Sequence, residues 1–245
     1  ALLVYFSAKS LLNKDCSSFI NGTTVSFRHS ILLVAVYFLT AVSVFSQPGQ
    51  EAYIKTITDR SVKIVNTLSI KDSVVYNKVV NQLVSQYSGL NKIQEDNKTV
   101  VAGIKQEGAT AEETAARLKK EEEKKTAGLQ TLHHSFISGL QQLLSPEQVD
   151  LVKDGMTYRV FPITYAAYQD MIPTLSEAQK SKIYEWLKEA REIAMDAESS
   201  DKKHAVFGKY KGRINNYLSA EGYDLKKATE EWQQRIKERN KTSQS

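Results

Sequence analysis

The segment Leu144-Ser145-Pro146-Glu147-Gln148-Val149 carries the full set of signals for a helix start. Ser145 offers a hydroxyl to the first free amides, and Pro146 takes the first helical position, where a missing N–H costs nothing. Gln148 reaches back to the cap, and Leu144 is placed to pack on Val149. Leu175-Ser176-Glu177-Ala178-Gln179 repeats the cap and the return residue, with Lys180 in place of the apolar partner. Two helices therefore begin with the same punctuation.

Reading towards the C-terminus, Phe161, Tyr165, Tyr168 and Ile172 recur at i, i+4, i+7 and i+11 and predict a helix whose aromatic stripe faces a core. Ile183, Trp186, Leu187, Ala190 and Ala194 predict the buried face of the helix begun at Ser176. Leu225, Ala228, Trp232 and Ile236 predict another, capped by Asp224. Asp154-Gly155 is expected to end the helix begun at Ser145, with the glycine in positive φ.

Reading towards the N-terminus, Ile54, Ile57, Ile64, Val65 and Leu68 line one helical face, and Tyr76, Val79, Val80, Leu83, Tyr87 and Leu90 line a second. The break falls at Lys71-Asp72-Ser73, where Asp72 or Ser73 accepts a backbone N–H. The valine-rich Thr99–Ile104 also admits a strand. Gly108-Ala109-Thr110 predicts a turn, and Ala111–Leu144 one long helix with a stripe of Leu129, Leu132, Phe136, Leu140 and Leu143. The expected fold is all-α: a bundle of about six or seven helices, with a long antiparallel hairpin in the N-terminal half.

The chain has 245 residues, 41% hydrophobic and 25% charged, which is the make-up of a folded globular protein. The run Ile31–Val44 is apolar, follows Arg28-His29 and ends in small residues, as a signal peptide over residues 27–46 does. Fourteen residues rise only about 21 Å as a helix, short of a bilayer core, so no stable span is expected once the signal is removed. Residues 1–26, which include the lone Cys16, are expected to be a non-native or fragment extension, and residues 47–245 a single helical domain. The expected location is the periplasm or outside the cell.

The net charge of +5 falls to about +3 without residues 1–46, too thin a spread to indicate a nucleic-acid partner. Arg117–Lys125 interleaves its signs and predicts a solvated helix face. His133 and His134 lie about 100° apart on a helix and cannot face one metal. HExxH, CxxC, glycine-rich phosphate loops and GxSxG do not occur. No metal or cofactor is expected, and no catalytic residue is assigned. Asp154, Asp170, Glu185 and Asp196 leave a glycan-active enzyme open, but nothing fixes two carboxylates at a catalytic separation.

One segment opposes its own periodicity. Val206, Tyr210, Ile214, Tyr217 and Leu218 predict a helix, yet Gly208 and Gly212 each cost about 1 kcal/mol and Asn215 and Asn216 add to that. His204, Gly208, Gly212 and Asn215 share one stripe, bordered by Lys209, Lys211, Arg213 and Asn216, with Tyr210 or Tyr217 as a stacking face. These ten residues are the candidate ligand site, and a hydroxyl-rich ligand such as carbohydrate suits their donors. The alternative is that the glycines admit a closely packed neighbouring helix.

Asp154-Gly155-Met156-Thr157-Tyr158, the run Lys203-His204 through Gly208-Lys209-Tyr210-Lys211-Gly212-Arg213-Ile214-Asn215-Asn216-Tyr217-Leu218, and Gly222-Tyr223-Asp224-Leu225 together resemble the bacterial domain of unknown function 3826. The resemblance spans most of the chain after residue 46 and is strongest from Leu144 onward. It implies an exported protein of Bacteroidetes-type bacteria with sugar binding as its expected role, and it assigns no residue a function. A second resemblance, to periplasmic helical chaperones and stress sensors, rests on Leu144–Gln148 and Leu175–Gln179, which any capped helix reaches independently. The expected function is that of a non-catalytic carbohydrate-binding or glycan-utilisation accessory protein, with a chaperone-like or stress-sensing module and a glycan-active enzyme as alternatives.

Overall fold

A computed structural model describes residues 48–242. The expected signal peptide and the extension before it lie outside these residues. Eight α-helices account for the described chain, and no strand occurs among the described residues. They are α1 (Pro48–Val65, extended by a 3-10 turn Asn66–Leu68), α2 (Ser73–Gln106), α3 (Ala111–Gln141), α4 (Pro146–Met156), α5 (Val160–Met171), α6 (Glu177–Met195), α7 (Ser200–Ala220) and α8 (Leu225–Thr242). None of them is long and apolar enough to cross a membrane.

Most helices start where a side chain can take up free amides. Asp72 accepts from Val74 and Val75, and Ser199 accepts from Lys202. Thr110, Ser145 and Ser176 each form a full capping box, with Glu113, Gln148 and Gln179 returning to the cap. Leu144 and Val149 are buried together, as the staple requires. Thr99–Ile104 is helical, not strand: it continues α2, whose i→i−4 ladder outweighs the β-preference of two valines, a threonine and an isoleucine.

Helices α2 and α3 form the expected long antiparallel hairpin. Leu132 packs on Gly89, Ile93 beside Gly128, and Gln82 on Gly139, so one helix recedes as the other advances. At the turn the left-handed residue is Gly108, φ 66°.

Two hydrophobic cores result. One gathers α1 to α4 around Val79, Leu83, Leu140 and Val152. The other gathers α5 to α8 around Ile183, Leu187, Phe207, Ile214 and Leu218. Arg191 of α6, only 1% exposed, ties them together: it donates to Asp150 at 2.6 Å and Asp154 at 2.7 Å on α4, and its guanidinium lies 5.0 Å from the Phe161 ring centroid. A buried cation is tolerated only with such partners.

The end of α4 departs from expectation. Gly155 does not supply the positive φ; it stays helical, and its missing side chain makes room for Ile64, whose carbons would stand 2.9 Å from an added Cβ. The left-handed positions fall three and four residues later, at Tyr158 (φ 58°) and Arg159 (φ 57°). The Arg159 amide closes the turn on Asp154 O at 2.7 Å, the bond that caps a helix whose left-handed residue is ordinarily glycine.

Candidate functional site

Facing stripes on α1 and α2 leave a cleft of about 250 Å³ between them. Tyr53, Ile57 and Arg60 come from α1 at i, i+4 and i+7. Tyr87, Leu90, Gln94 and Lys98 come from α2 at i, i+3, i+7 and i+11. Tyr158 closes one end from the α4–α5 turn, the α6–α7 connection contributes Glu198 and Ser199, and the first turn of α7 contributes Ser200 and Lys203. Helical periodicity thus aims the first two groups, and the strained turn aims the third.

The phenol of Tyr53 donates to Tyr87 O at 3.0 Å, which fixes one tyrosine against the other's backbone. The Arg60 guanidinium stands 5.5 Å from the Tyr87 ring centroid, within cation–π range. Burial pushes the Tyr87 hydroxyl up to about 12, so it remains a neutral donor. Lys203 is 5% exposed; its ammonium donates to Ala194 O at 2.8 Å and Met195 O at 2.9 Å, capping the end of α6 from inside the cleft wall. Burial lowers its pKa to about 8. Aromatic faces, a guanidinium, an ammonium and the Gln94 amide converge on one cavity, a combination that binds polar ligands with ring-like apolar faces.

Tyr158 is the position where backbone and site meet. It is 41% exposed, lies in the left-handed region that disfavours a side chain, and stacks on His204 with ring centroids 5.5 Å apart and planes at 16°. Two successive strained residues cost of order 1–3 kcal/mol each and cluster at functional sites when the surrounding structure enforces them.

The ten residues singled out from sequence are spread around several sides of α7. Gly208 and Gly212 are exposed, and a Cβ at either would meet nothing within 4 Å, so no neighbouring helix packs on them. Lys209 lines a separate pocket with Ala205 and Val206 against Leu129 and Gln130 of α3, and the two glycines lie with Asn216 on the solvent-exposed face of α7. Lys211 and Asn215 flank it towards α5, where the Tyr168 hydroxyl donates to Asn215 Oδ1 at 2.7 Å. Arg213 and Tyr217 flank it towards α6: Arg213 lies over the Trp186 ring at 4.5 Å, and Tyr217 packs edge-on against the same ring. Tyr210 is 8% exposed and belongs to the core, so it offers no stacking face. Of the ten, His204 alone stacks on a residue of the cleft wall, Tyr158, without lining the cleft itself.

Of the carboxylates that kept a glycan-active enzyme open, Asp154 and Asp196 belong to one ion-pair network that runs through Arg191, Glu192 and His133, and Asp170 is held by α8. Asp154 holds Arg191; Asp170 accepts from Trp232 at 2.7 Å and Arg239 at 2.6 Å; Asp196 holds His133 at 2.9 Å. His134 turns away from its neighbour to its own helix, 2.7 Å from Gln130 O.

Sequence reading missed Tyr53, Arg60, Tyr158 and Lys203 as site residues. Tyr87 was visible only as part of an apolar stripe, because pairing α1 with α2 at this register is a tertiary fact. A signal for Tyr158 existed: a tyrosine three residues after a glycine that fails to end the helix.

Residues 54–238 match the family model described as "Protein of unknown function (DUF3826)". No curated protein matches the chain.

Proposed function

The chain belongs to the DUF3826 family, and for it we propose the function of an exported, non-catalytic carbohydrate-binding protein, an accessory to glycan utilisation, which holds its ligand in the cleft between α1 and α2. The observation that carries this reading is Tyr158, strained into the left-handed region, stacked on His204, and closing a cavity already lined by Tyr53, Tyr87 and Arg60. Sugar rings present apolar faces to tyrosines and hydroxyls to guanidinium and amide donors.

Export is supported by the apolar run Ile31–Val44 behind Arg28-His29. The paired Leu-Ser-x-x-Gln segments favour no chaperone reading, because local capping and the burial of Leu144 and Leu175 account for both. A glycan microarray of plant, algal and host polysaccharides tests the proposal. Retention of one glycan class by the wild type, reduced in Tyr53→Ala, is the expected result. A folded protein that retains none contradicts it.

A further inference from the structure

On the far side of Arg60 and Tyr158 lies a second cleft, of about 590 Å³, whose walls include Lys63, Ile64, Leu151 and Arg159. Arg60 and Tyr158 line both clefts, so the two meet along these side chains. The first cleft is below the usual size of a small-ligand site, roughly 300–1,000 Å³, and the second lies within that range. Together they suit an extended ligand better than a compact one.

The charge along this path is one-sided. Arg60, Lys63 and Arg159 form no ion pair among the described residues. The acid in the second cleft, Asp154, is already held by Arg191 at 2.7 Å. In the first cleft Glu95 is held by Lys98 at 2.9 Å, Lys203 adds a buried ammonium, and Glu198 is the remaining acid on the rim. A protein of thin net charge has thus gathered three cations that make no close ion pair around two tyrosine-lined cavities, with Arg159 under only the longer-range attraction of Asp154. Guanidinium groups pair bidentately with planar or tetrahedral oxyanions, whereas neutral hydroxyls leave most of that capacity unused.

Resting on the glycan-binding reading above, we propose that the ligand is an anionic oligosaccharide bearing carboxylate or sulfate groups, which runs from the Tyr53–Tyr87 cleft across Arg60 and Tyr158 into the Lys63–Arg159 cleft. The sugar rings lie against the tyrosines and the charged groups meet Arg60, Lys63 and Arg159.

Isothermal titration of the full chain tests this with an oligogalacturonate hexasaccharide, a sulfated galactan hexasaccharide, neutral cello- and manno-hexaose, and the disaccharide of each. One of the two anionic hexasaccharides should bind about tenfold tighter than either neutral one and than its own disaccharide, and added salt should erase the difference. The better of the two identifies the group recognised. Lys63→Gln and Arg159→Gln should each weaken that hexasaccharide several-fold, with Lys78→Gln, exposed elsewhere on α2, as the unaffected control and thermal melts verifying the fold of each. Neutral hexasaccharides binding equally well would overturn the anionic assignment and leave glycan binding standing. Equal binding of a single-stranded polynucleotide would overturn it too, by reducing the cluster to general polyanion attraction. No binding of any oligosaccharide by folded protein would remove both readings.

Discussion

The ring of Tyr158 lies nearly parallel to that of His204, 5.5 Å away, so the first turns of α7 hold the one exposed tyrosine of the α4–α5 turn in place. His204 is itself fixed by its own helix, with Nδ1 2.8 Å from Ser200 O. The contact is second-hand to any ligand, and its effect is orientation. His204→Ala should therefore lower glycan affinity several-fold while changing stability by no more than about 0.5 kcal/mol, as usual for an exposed position. Titration calorimetry paired with urea unfolding separates the two effects.

Gly208 and Gly212 give the opposite expectation from Gly155. With open space at the Cβ position and helical backbone, Gly208→Ala and Gly212→Ala should each stabilise the protein by about 1 kcal/mol and leave ligand affinity unchanged. Gly155→Ala must displace Ile64 and should cost about 1–3 kcal/mol by overpacking. Chemical denaturation of the three variants reads both signs.

This contrast shows what could be read from the residues. Capping boxes at Ser145 and Ser176, the α2–α3 hairpin and the stripes of α5 and α6 depend on local chemistry, so the all-helical bundle was legible. The glycines of α7 were equally visible, but their burial is decided by what packs on their face of the helix, and nothing meets a Cβ there. Arg60, Tyr87 and Lys203 lie on three helices and meet only through tertiary packing, which no periodicity within one helix reports.

Lys203 should contribute a recognisable pH dependence. Its pKa is lowered from 10.5 to about 8 by burial, with Asp196 opposing and Arg60 adding to the shift. Charging it in the folded state costs stability below pH 8; as pH rises from about 8 towards 10.5 the native protein releases this proton ahead of the unfolded chain, and that cost is relieved. Lys203→Met should abolish this rise. At neutral pH it should also destabilise by about 1–3 kcal/mol by leaving the carbonyls of Ala194 and Met195 without their donor. Unfolding free energies across the alkaline range test both statements.

His133 should act in the opposite sense. Its hydrogen bond to Asp196 at 2.9 Å, with Glu192 at 3.7 Å adding attraction, raises its pKa above 6.5 against burial and Lys153. The stabilisation is full below pH 6.5 and is lost as pH rises through the higher native value. His133→Gln should flatten stability across that window, and thermal melts on either side of it measure the loss.

Tyr158→Gly offers the most direct test of the claim that this strained tyrosine defines the ligand site. Glycine relieves the left-handed backbone while losing a half-exposed ring, so stability should stay within about 1 kcal/mol of wild type. Measured by titration calorimetry against the glycan class retained by the wild type, affinity should fall at least about tenfold, the loss of a stacked ring and of the wall between the two clefts. A folded Tyr158→Gly protein that binds that glycan as tightly as wild type would contradict the account.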